Sequence, residues 1–283
     1  MSGAMHATLV LVTLVAFAAN SLLNRAALLD GAIGPASFAL IRVASGAAIL
    51  ILLVVLRRDM PRPGRRNLGA VVWLTLYMLG FSFAYLSLDA GFGALLLFGA
   101  VQITMFAGAL VLREPMPRHR WTGAMIALAG LVLLLRPDPG TGAALPGTAL
   151  MVMAAIGWGM FSLAGRASAA PLSDTAIAFL FCLPVTLLAW VLVPDQDPIS
   201  VSGAALAVIS GAVTSGCGYA LWYSVLPRLG PSRAAVTQLS VPVIATLGGV
   251  AFLGETLSWS MIGAGGLVLG GVAVSLGKGR SEG

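Results

Sequence analysis

Aromatic side chains with polar tips recur at helical spacing in two separate stretches of the sequence. Tyr77, Phe81 and Tyr85 follow one another at intervals of four residues, which places them on one face of a helix. Tyr219 and Tyr223 repeat that spacing later in the chain. Because a hydroxyl-bearing ring offers an apolar contact and a hydrogen bond together, these faces suit the binding of a small amphipathic solute. Packing between helices is the alternative interpretation, as is an interfacial position for the rings near helix ends.

One tryptophan and three amide side chains extend this set of candidate binding residues. Trp158 lies between two glycines, and such small neighbours let a ligand or another backbone approach the ring. The three amides lie within apolar stretches, where an amide group needs a hydrogen-bonding partner. They are Asn20, Gln102 and Gln238. Solute binding and hydrogen bonding between helices both explain them, and the sequence leaves the two open.

The composition indicates the solvent around these residues. Of the 283 residues, 59% are hydrophobic and 9% are charged, whereas a soluble domain carries roughly 25% charged residues. The chain is therefore predicted to be a membrane protein that crosses the bilayer several times. Its basic residues cluster in short loops beside apolar stretches, a pattern that sets membrane orientation and argues against a nucleic-acid partner. Cys182 and Cys217 lie within apolar stretches without a nearby histidine, so we expect no metal site, no structural disulfide and no cofactor.

The apolar stretches predict an all-α membrane protein. A helix needs about 20 apolar residues to cross a bilayer. Ten segments meet this requirement, a few of them slightly short. They lie near residues 6–24, 36–56, 68–88, 91–112, 121–136, 145–165, 174–193, 202–226, 233–253 and 258–276.

The loop charges predict the orientation of these segments. Cytoplasmic loops of membrane proteins carry the excess of Lys and Arg. With the N-terminus in the cytoplasm, 13 of the 16 basic residues fall in cytoplasmic loops or tails. Only Arg25 and Arg136 fall on the other side, and Arg42 lies inside the second segment. Both termini are therefore predicted to be cytoplasmic.

The chain also contains an internal repeat. The stretch from Ala94 to Met116 aligns with the stretch from Ala235 to Leu257 at a shift of 141 residues. The same shift places Phe17 on Trp158. The repeat predicts two five-helix units, residues 1–140 and 141–283. Because five crossings leave the chain on the opposite side of the membrane, the second unit is inverted relative to the first. Inverted repeats are a recurring construction of secondary transporters, with the substrate site at the repeat interface.

These features resemble a known family. The two halves end their fourth helices in LREPM and LGETL, at Glu114 and Glu255, and a Gly-rich helix follows each. Pro35 precedes helix 2, with Arg42 seven residues on. The chain resembles the EamA family of the drug/metabolite transporter (DMT) superfamily, and within it the YddG-type amino acid exporters. The resemblance implies a central cavity lined mainly by helices 1, 3, 4, 6, 8 and 9.

One departure from the superfamily bears on the transported solute. Small multidrug members of the superfamily use a Glu in their first helix to exchange protons for cations, whereas helices 1 and 6 here contain no carboxylate. This argues against a cationic-drug antiporter that works by that chemistry.

Arg42 admits two interpretations. An arginine inside a membrane helix is by default a candidate for function. A structural ion pair with Asp89 or Asp30 is equally compatible with its position. We favour the structural interpretation, because helix 2 lies outside the cavity in the family. Two further expectations concern helix geometry: Pro242 and Pro184 bend helices 9 and 7, and the GxxxG formed by Gly266 and Gly270 packs helix 10 against a neighbour.

The functional hypothesis is an exporter in the bacterial inner membrane. Its substrates would be small neutral amino acids or related metabolites, moved by alternating access. Whether they include aromatic amino acids is left open by the sequence. The alternatives are an exporter of other metabolites or drugs, or a nucleotide-sugar or sugar-phosphate carrier. An enzyme is not expected, because His6 and His119 lie near the membrane edge and no carboxylate lies deep in any helix. The expected partners are the solute and the lipid bilayer. The oligomeric state is open, and a monomer is compatible with the sequence.

Overall fold

The fold is helical throughout the part of the chain that the structure describes. The computed structural model describes residues 3–29, 31–58, 64–111, 113, 117–134, 145–166, 168–195, 197–225 and 237–276. No strand occurs among these residues. The helices, in chain order, are α1 (Gly3–Leu29), α2 (Pro35–Leu56), α3 (Arg65–Ala84), α4 (Ala90–Val111), α5 (Arg118–Leu134), α6 (Leu145–Arg166), α7 (Pro171–Leu192), α8 (Val201–Val225), α9 (Ser240–Leu253) and α10 (Trp259–Leu276).

The ends of several helices follow from local sequence. Pro35 and Pro171 open α2 and α7, where a missing N–H costs nothing because the first N–H groups of a helix have no partner within it. Ser200 caps α8 by accepting a hydrogen bond from the N–H of Gly203 at 3.0 Å. Gly254 ends α9 in the left-handed region, at φ 67°, which glycine adopts without a steric penalty. The short loops between helices are thus encoded residue by residue.

Seven of the described helices are long and apolar enough to cross a membrane: α1, α2, α3, α4, α6, α7 and α8. α9 and α10 are also apolar but shorter. The chain is therefore a multi-pass membrane protein. The full set of ten spans, the inverted repeats and the cytoplasmic termini stay predictions.

The helices pack in pairs that relate the two halves of the chain. α5 packs on α10, α2 on α7, and α4 on α9. α3 packs on α6, and α8 packs on α1. These two pairs correspond to each other, because α8 lies five helices after α3 and α1 lies five helices before α6. The principal pairings thus recur when each helix is exchanged for the one five places away, which is the arrangement that a two-fold relation between the halves would give.

Loops that the sequence assigns to one side of the membrane lie against each other. The N–H of Ser200 donates to the carbonyl of Ala32 at 2.9 Å, which joins the α7–α8 loop to the α1–α2 loop. Asp195 accepts hydrogen bonds from the N–H groups of Ala36 and Ser37, at 3.1 and 2.7 Å. Its carboxylate therefore caps the N-terminus of α2, where negative charge is stabilised by the helix dipole.

Two expectations about helix geometry are wrong. A Cβ added at Gly266 or Gly270 would meet nothing within 4 Å, so these glycines do not pack α10 on a neighbour. The close contact with α5 is made instead by Gly271, whose backbone lies against Gly123 and the N–H of Ala127. Pro242 lies in the first turn of α9, where its missing N–H needs no partner in the helix, so it does not interrupt α9. Pro184 does lie inside α7, and the bend expected there stays a prediction.

Substitution at two adjacent glycines of α10 tests this packing. Gly271→Ala would drive a methyl group into the backbone of α5, and overpacking of this kind typically costs 1–3 kcal/mol, an order-of-magnitude range. The thermal unfolding midpoint of the detergent-purified protein should fall. Gly270→Ala is the matched control and should leave the midpoint close to that of the wild type. Equal effects of the two substitutions would contradict the described α5–α10 contact.

Glu255 fixes the start of α4 from the loop between α9 and α10. Its carboxylate accepts hydrogen bonds from the N–H groups of Ala90, at 2.5 Å, and Gly91, at 3.1 Å. Burial raises the pKa of this carboxyl above its ordinary value of 4.5, and it outweighs the two backbone hydrogen bonds, which act in the opposite direction. The folded protein therefore retains the proton of Glu255 to a higher pH than the unfolded chain does.

A pH profile of stability tests this assignment. The stabilisation from the raised pKa is fully present below about pH 4.5 and is lost as the pH rises through the folded-state value. The free energy of unfolding of Glu255→Gln should lack this decline with rising pH, as followed by thermal unfolding from pH 4 upward. A variant with the wild-type slope would show that another group produces the dependence.

Cysteine labelling tests the predicted orientation. In a background without Cys182 and Cys217, single cysteines at Ile199 and at Arg57 should react with an impermeant reagent from opposite faces of the membrane. Ile199 should react from outside the cell. Labelling of both from one face would contradict the inverted arrangement of the halves.

Candidate functional site

A small cavity lies among five helices at the centre of the described structure. Side chains from α1, α3, α4, α6 and α8 line it: Phe17, Asn20, Ser21, Tyr77, Phe81, Leu97, Phe98, Trp158 and Tyr219. Its volume is about 20 Å³, close to the space that one water molecule needs. Helices from both halves of the chain contribute to it, and no acidic or basic residue is among the lining side chains.

Stacked aromatic rings form one side of this cavity. The ring of Trp158 stacks on that of Tyr219, with centroids 5.2 Å apart and planes inclined by 27°. Its centroid lies 5.0 Å from that of Tyr77, which in turn lies 5.3 Å from that of Phe81. Phe17 meets Tyr219 edge-on at 5.8 Å. Rings predicted from α3, α6 and α8 thus meet in one cluster.

The glycines beside Trp158 bring its helix close to two neighbours. A Cβ at Gly157 would lie 2.6 Å from the carbonyl oxygen of Trp73, and one at Gly159 would lie 2.8 Å from the side chain of Thr104. Because neither glycine carries a Cβ, the backbone of α6 approaches both α3 and α4. This approach holds the indole ring against the rings of α3.

Asn20 joins α1 to α8 beside the rings. Its side-chain oxygen accepts hydrogen bonds from the hydroxyls of Ser210 at 2.9 Å, Thr214 at 2.6 Å and Ser215 at 3.3 Å. Residues Ile209–Cys217 of α8 are wound as a π-helix. In that winding each hydrogen bond spans five residues, so residue 215 lies one turn above residue 210 and shares its face with residue 214. The unusual winding explains why three hydroxyls converge on one amide.

Arg42 lies directly behind the cavity wall. Its side chain is fully buried. Nε and Nη2 donate to the hydroxyl of Ser215, both at 3.3 Å, and Nη2 also donates to the hydroxyl of Tyr77 at 3.2 Å. The guanidinium carbon lies 4.7 Å from the ring centroid of Phe81. Nη1 has no hydrogen-bond partner among the described residues.

The predicted pairing of Arg42 with Asp89 is wrong. Asp89 pairs with Arg25, whose Nη2 lies 3.4 Å from Oδ1 of Asp89. Asp30, the other predicted partner, lies outside the described residues. The described part of the chain gives Arg42 no ion pair, so its charge is surrounded by neutral hydroxyls and rings.

Four predicted binding residues do not line the cavity. Tyr85 is buried beside it, with its ring centroid 4.9 Å from that of Phe81. Tyr223 accepts a hydrogen bond from Thr175 of α7 at 3.3 Å, which is a contact between helices. Gln102 is half-buried in α4, one turn after the cavity residue Phe98, and Gln238 is half-buried immediately before α9. A binding role for these four residues stays a prediction.

Four residues that line the cavity were not predicted from the sequence. They are Phe17, Ser21, Leu97 and Phe98. The repeat carried a signal for Phe17, because the shift of 141 residues aligns it with Trp158. Leu97 and Phe98 carry no such signal, since apolar residues surround them in a uniformly apolar helix.

Comparisons with known proteins agree with this fold. A solved crystal structure shares it with a TM-score of 0.67 at 20% identity, over 97% of this chain and 98% of that chain. The sequence is 43% identical to the uncharacterized protein PA1977 of Pseudomonas aeruginosa over 271 residues, which is 95% of this chain and 93% of the relative. It is 22% identical over 256 residues to an uncharacterized transporter of Archaeoglobus fulgidus, covering 87% of this chain and 90% of that protein.

The second half of the chain carries the family signature. Residues 145–277, from α6 through α10, match the EamA-like transporter family. The helical membrane fold, the relative named as a transporter and this match agree with one another. The chain belongs to the EamA-like transporter family.

Proposed function

We propose that this protein exports small neutral amino acids, or related metabolites, across the bacterial inner membrane. Aromatic amino acids are among the candidate substrates. Transport proceeds by alternating access between two inverted five-helix halves, 1–140 and 141–283. The observation that carries the proposal is the cavity in which rings from both halves meet beside neutral hydrogen-bonding groups.

The cavity chemistry fits an amphipathic solute of this kind. Tyr77, Trp158 and Tyr219 present broad apolar faces, and the two tyrosines add hydroxyls. An amino acid combines an apolar side chain with a polar backbone end, and a pocket of rings with a few polar groups serves both. The rings contribute apolar contact area, and the hydroxyls and Asn20 set the polar end of the site.

The size of the cavity supports a transport cycle with a closed state. A volume of about 20 Å³ is far below the roughly 300 Å³ at which small-molecule pockets begin, so the stacked rings must part before a solute binds. Polar contacts hold α3 at both of its ends. At the start of α3, Asn67 donates to Asp174 of α7 at 3.0 Å. At the end of α3, Arg25 of α1 donates to the carbonyl of Tyr85 at 3.0 Å. Release of one end at a time would open the cavity to alternate sides.

A sugar-phosphate or nucleotide-sugar carrier fits the site less well. Recognition of a phosphate that carries two negative charges favours several cationic donors. Arg42 is the one cation that the structure places against the described cavity walls. A drug exporter that exchanges protons at a carboxylate also lacks support, since no described lining residue is acidic.

Export can be tested with Trp158. Cells that overproduce the protein should tolerate a toxic amino-acid analogue such as 4-fluorophenylalanine better than control cells do. Trp158→Ala should reduce this tolerance, because it removes the ring that stacks on Tyr219 and contacts the ring of Tyr77. An aromatic pair contributes about 0.5–1.5 kcal/mol, so the transport rate per folded protein should fall by up to roughly tenfold.

Trp259 provides the matched control. It is 88% exposed on α10, outside the cavity, so Trp259→Ala should preserve tolerance at an equal protein level. Equal losses in both variants would argue against a cavity role for Trp158. Transport of a phosphorylated sugar by the purified protein in liposomes, without transport of amino acids, would refute the substrate class.

A further inference from the structure

We propose that Arg42 binds the carboxylate of the transported solute, so that the site selects compounds with a carboxylate over otherwise equal compounds without one. The inference rests on the proposed function, because it assigns the polar end of the same cavity. It replaces the structural role that the position of Arg42 in α2 suggested.

Arg42 carries a buried positive charge without a counter-ion among the described residues. The guanidinium stays protonated in proteins, and the Arg42 side chain is fully buried. In the described part of the chain its hydrogen-bond acceptors are two neutral hydroxyls, and Nη1 has no acceptor there. Buried charges in proteins are usually paired, yet the described residues hold no carboxylate within ion-pair distance of Arg42. The environment of this side chain is therefore incomplete in a way that an anion would complete.

The guanidinium of Arg42 lies against the side chains that line the cavity. The guanidinium contacts two cavity side chains directly, since it bonds to the hydroxyl of Tyr77 and lies over the ring of Phe81 at 4.7 Å. A third, Asn20, is reached through the hydroxyl of Ser215. A shift of the Tyr77 or Phe81 ring as the cavity widens would expose the guanidinium to the bound solute.

The hydrogen bonds around Arg42 leave a donor without an acceptor. The Asn20 oxygen accepts from three hydroxyls, so the proton of Ser215 points to Asn20 and its lone pairs are left for Arg42. The Tyr77 hydroxyl accepts from Arg42 and also shares a hydrogen bond with the Tyr219 hydroxyl. Among the described residues, the polar atom left without a partner beside Tyr77 is thus a donor, Nη1 of Arg42. Donors of this kind fit a carboxylate, which only accepts.

Three compounds that share one side chain separate the contributions of carboxylate and amine. Phenylalanine carries both groups, 3-phenyllactate keeps the carboxylate and replaces the amine by a hydroxyl, and phenylalaninamide keeps the amine and lacks the carboxylate. Isothermal titration of the detergent-purified full chain should show similar affinities for the first two. Phenylalaninamide should bind about 10- to 100-fold more weakly, the range expected for loss of hydrogen bonds to a charged group.

Substitutions of Arg42 provide the second readout. Arg42→Gln keeps a hydrogen-bonding group and removes the charge, so the three compounds should bind with similar, weak affinities. Arg42→Lys should restore part of the preference for the carboxylates. The thermal midpoint of Arg42→Gln without solute should fall only modestly, because the glutamine amide can still donate to this network and no ion pair is broken. A folded Arg42→Gln variant that keeps the preference for the carboxylates would overturn the inference.

Arg25→Gln is the control for the loss of a guanidinium. Arg25 already has Asp89 as its carboxylate, so this substitution should leave the ranking of the three compounds unchanged. If Arg42→Gln fails to fold, Arg42→Lys decides the inference, because it keeps the charge but loses the fork of donors. Phenylalanine and 3-phenyllactate should then bind more weakly than to the wild type while phenylalaninamide binds as before, and unchanged affinities for all three compounds overturn the inference.

The outcomes separate this inference from the proposed function. If phenylalanine and its amide bind equally well, the inference is overturned while amino-acid export stands. If phenylalanine is not transported but 3-phenyllactate binds and the amide does not, the inference stands and amino-acid export fails. Binding of neither carboxylate compound overturns the inference.

Discussion

A buried positive charge is the constraint on which the centre of this protein depends. Hydrocarbon offers no water to solvate polar groups, so each one must find a partner inside the protein. Arg42 donates to neutral hydroxyls on α3 and α8, those of Tyr77 and Ser215. The hydroxyl of Ser215 in turn donates to the side-chain oxygen of Asn20 on α1. The π-helical turn of α8 follows from the same requirement, because it brings Thr214 and Ser215 to one face. The polar network thus fixes how α1, α2, α3 and α8 meet.

Close backbone packing surrounds this network. Gly211 lies against the backbone of Arg42 and the hydroxyl of Ser45, and Gly46 lies against the ring of Phe179. Without a hydrophobic force between helices in lipid, small residues let helices approach closely enough for dispersion contacts to hold them together. The glycines of α2 and α8 therefore allow the approach that Arg42 needs to reach Ser215.

The rings and the network together suit a protein that must change shape. Stacked rings such as those of Trp158 and Tyr219 can separate, and each ring can then replace its contact with the other ring by a contact with the solute. The polar contacts of Asn67 and Arg25 lie at the ends of α3, where hydrogen bonds can break without opening the core. A closed cavity held in this way is compatible with alternating access, in which each conformation differs from the next by a few such contacts.

The sequence by itself determined that the chain crosses a membrane several times and where several of its helices begin. The apolar length, the prolines at the starts of α2 and α7, and the glycine at the end of α9 act locally, so they can be recognised without knowledge of the fold. The aromatic face that carries Tyr77 and Phe81 was also evident, because the four-residue spacing fixes it within one helix. The repeat aligned Phe17 with Trp158, and both line the cavity.

Only the tertiary structure decided which faces of the helices meet. In a soluble helix the polar side marks the surface, but a helix that is apolar all round gives no such mark. The sequence therefore favoured Gly266 and Gly270 over Gly271 for the packing of α10, and could not separate the cavity residue Phe98 from its apolar neighbours. The partners of Arg42 were hidden for the same reason, since Ser215 lies 173 residues away along the chain. Their contact depends on the rotation of two helices about their axes, which is set by packing between the halves and not by local sequence.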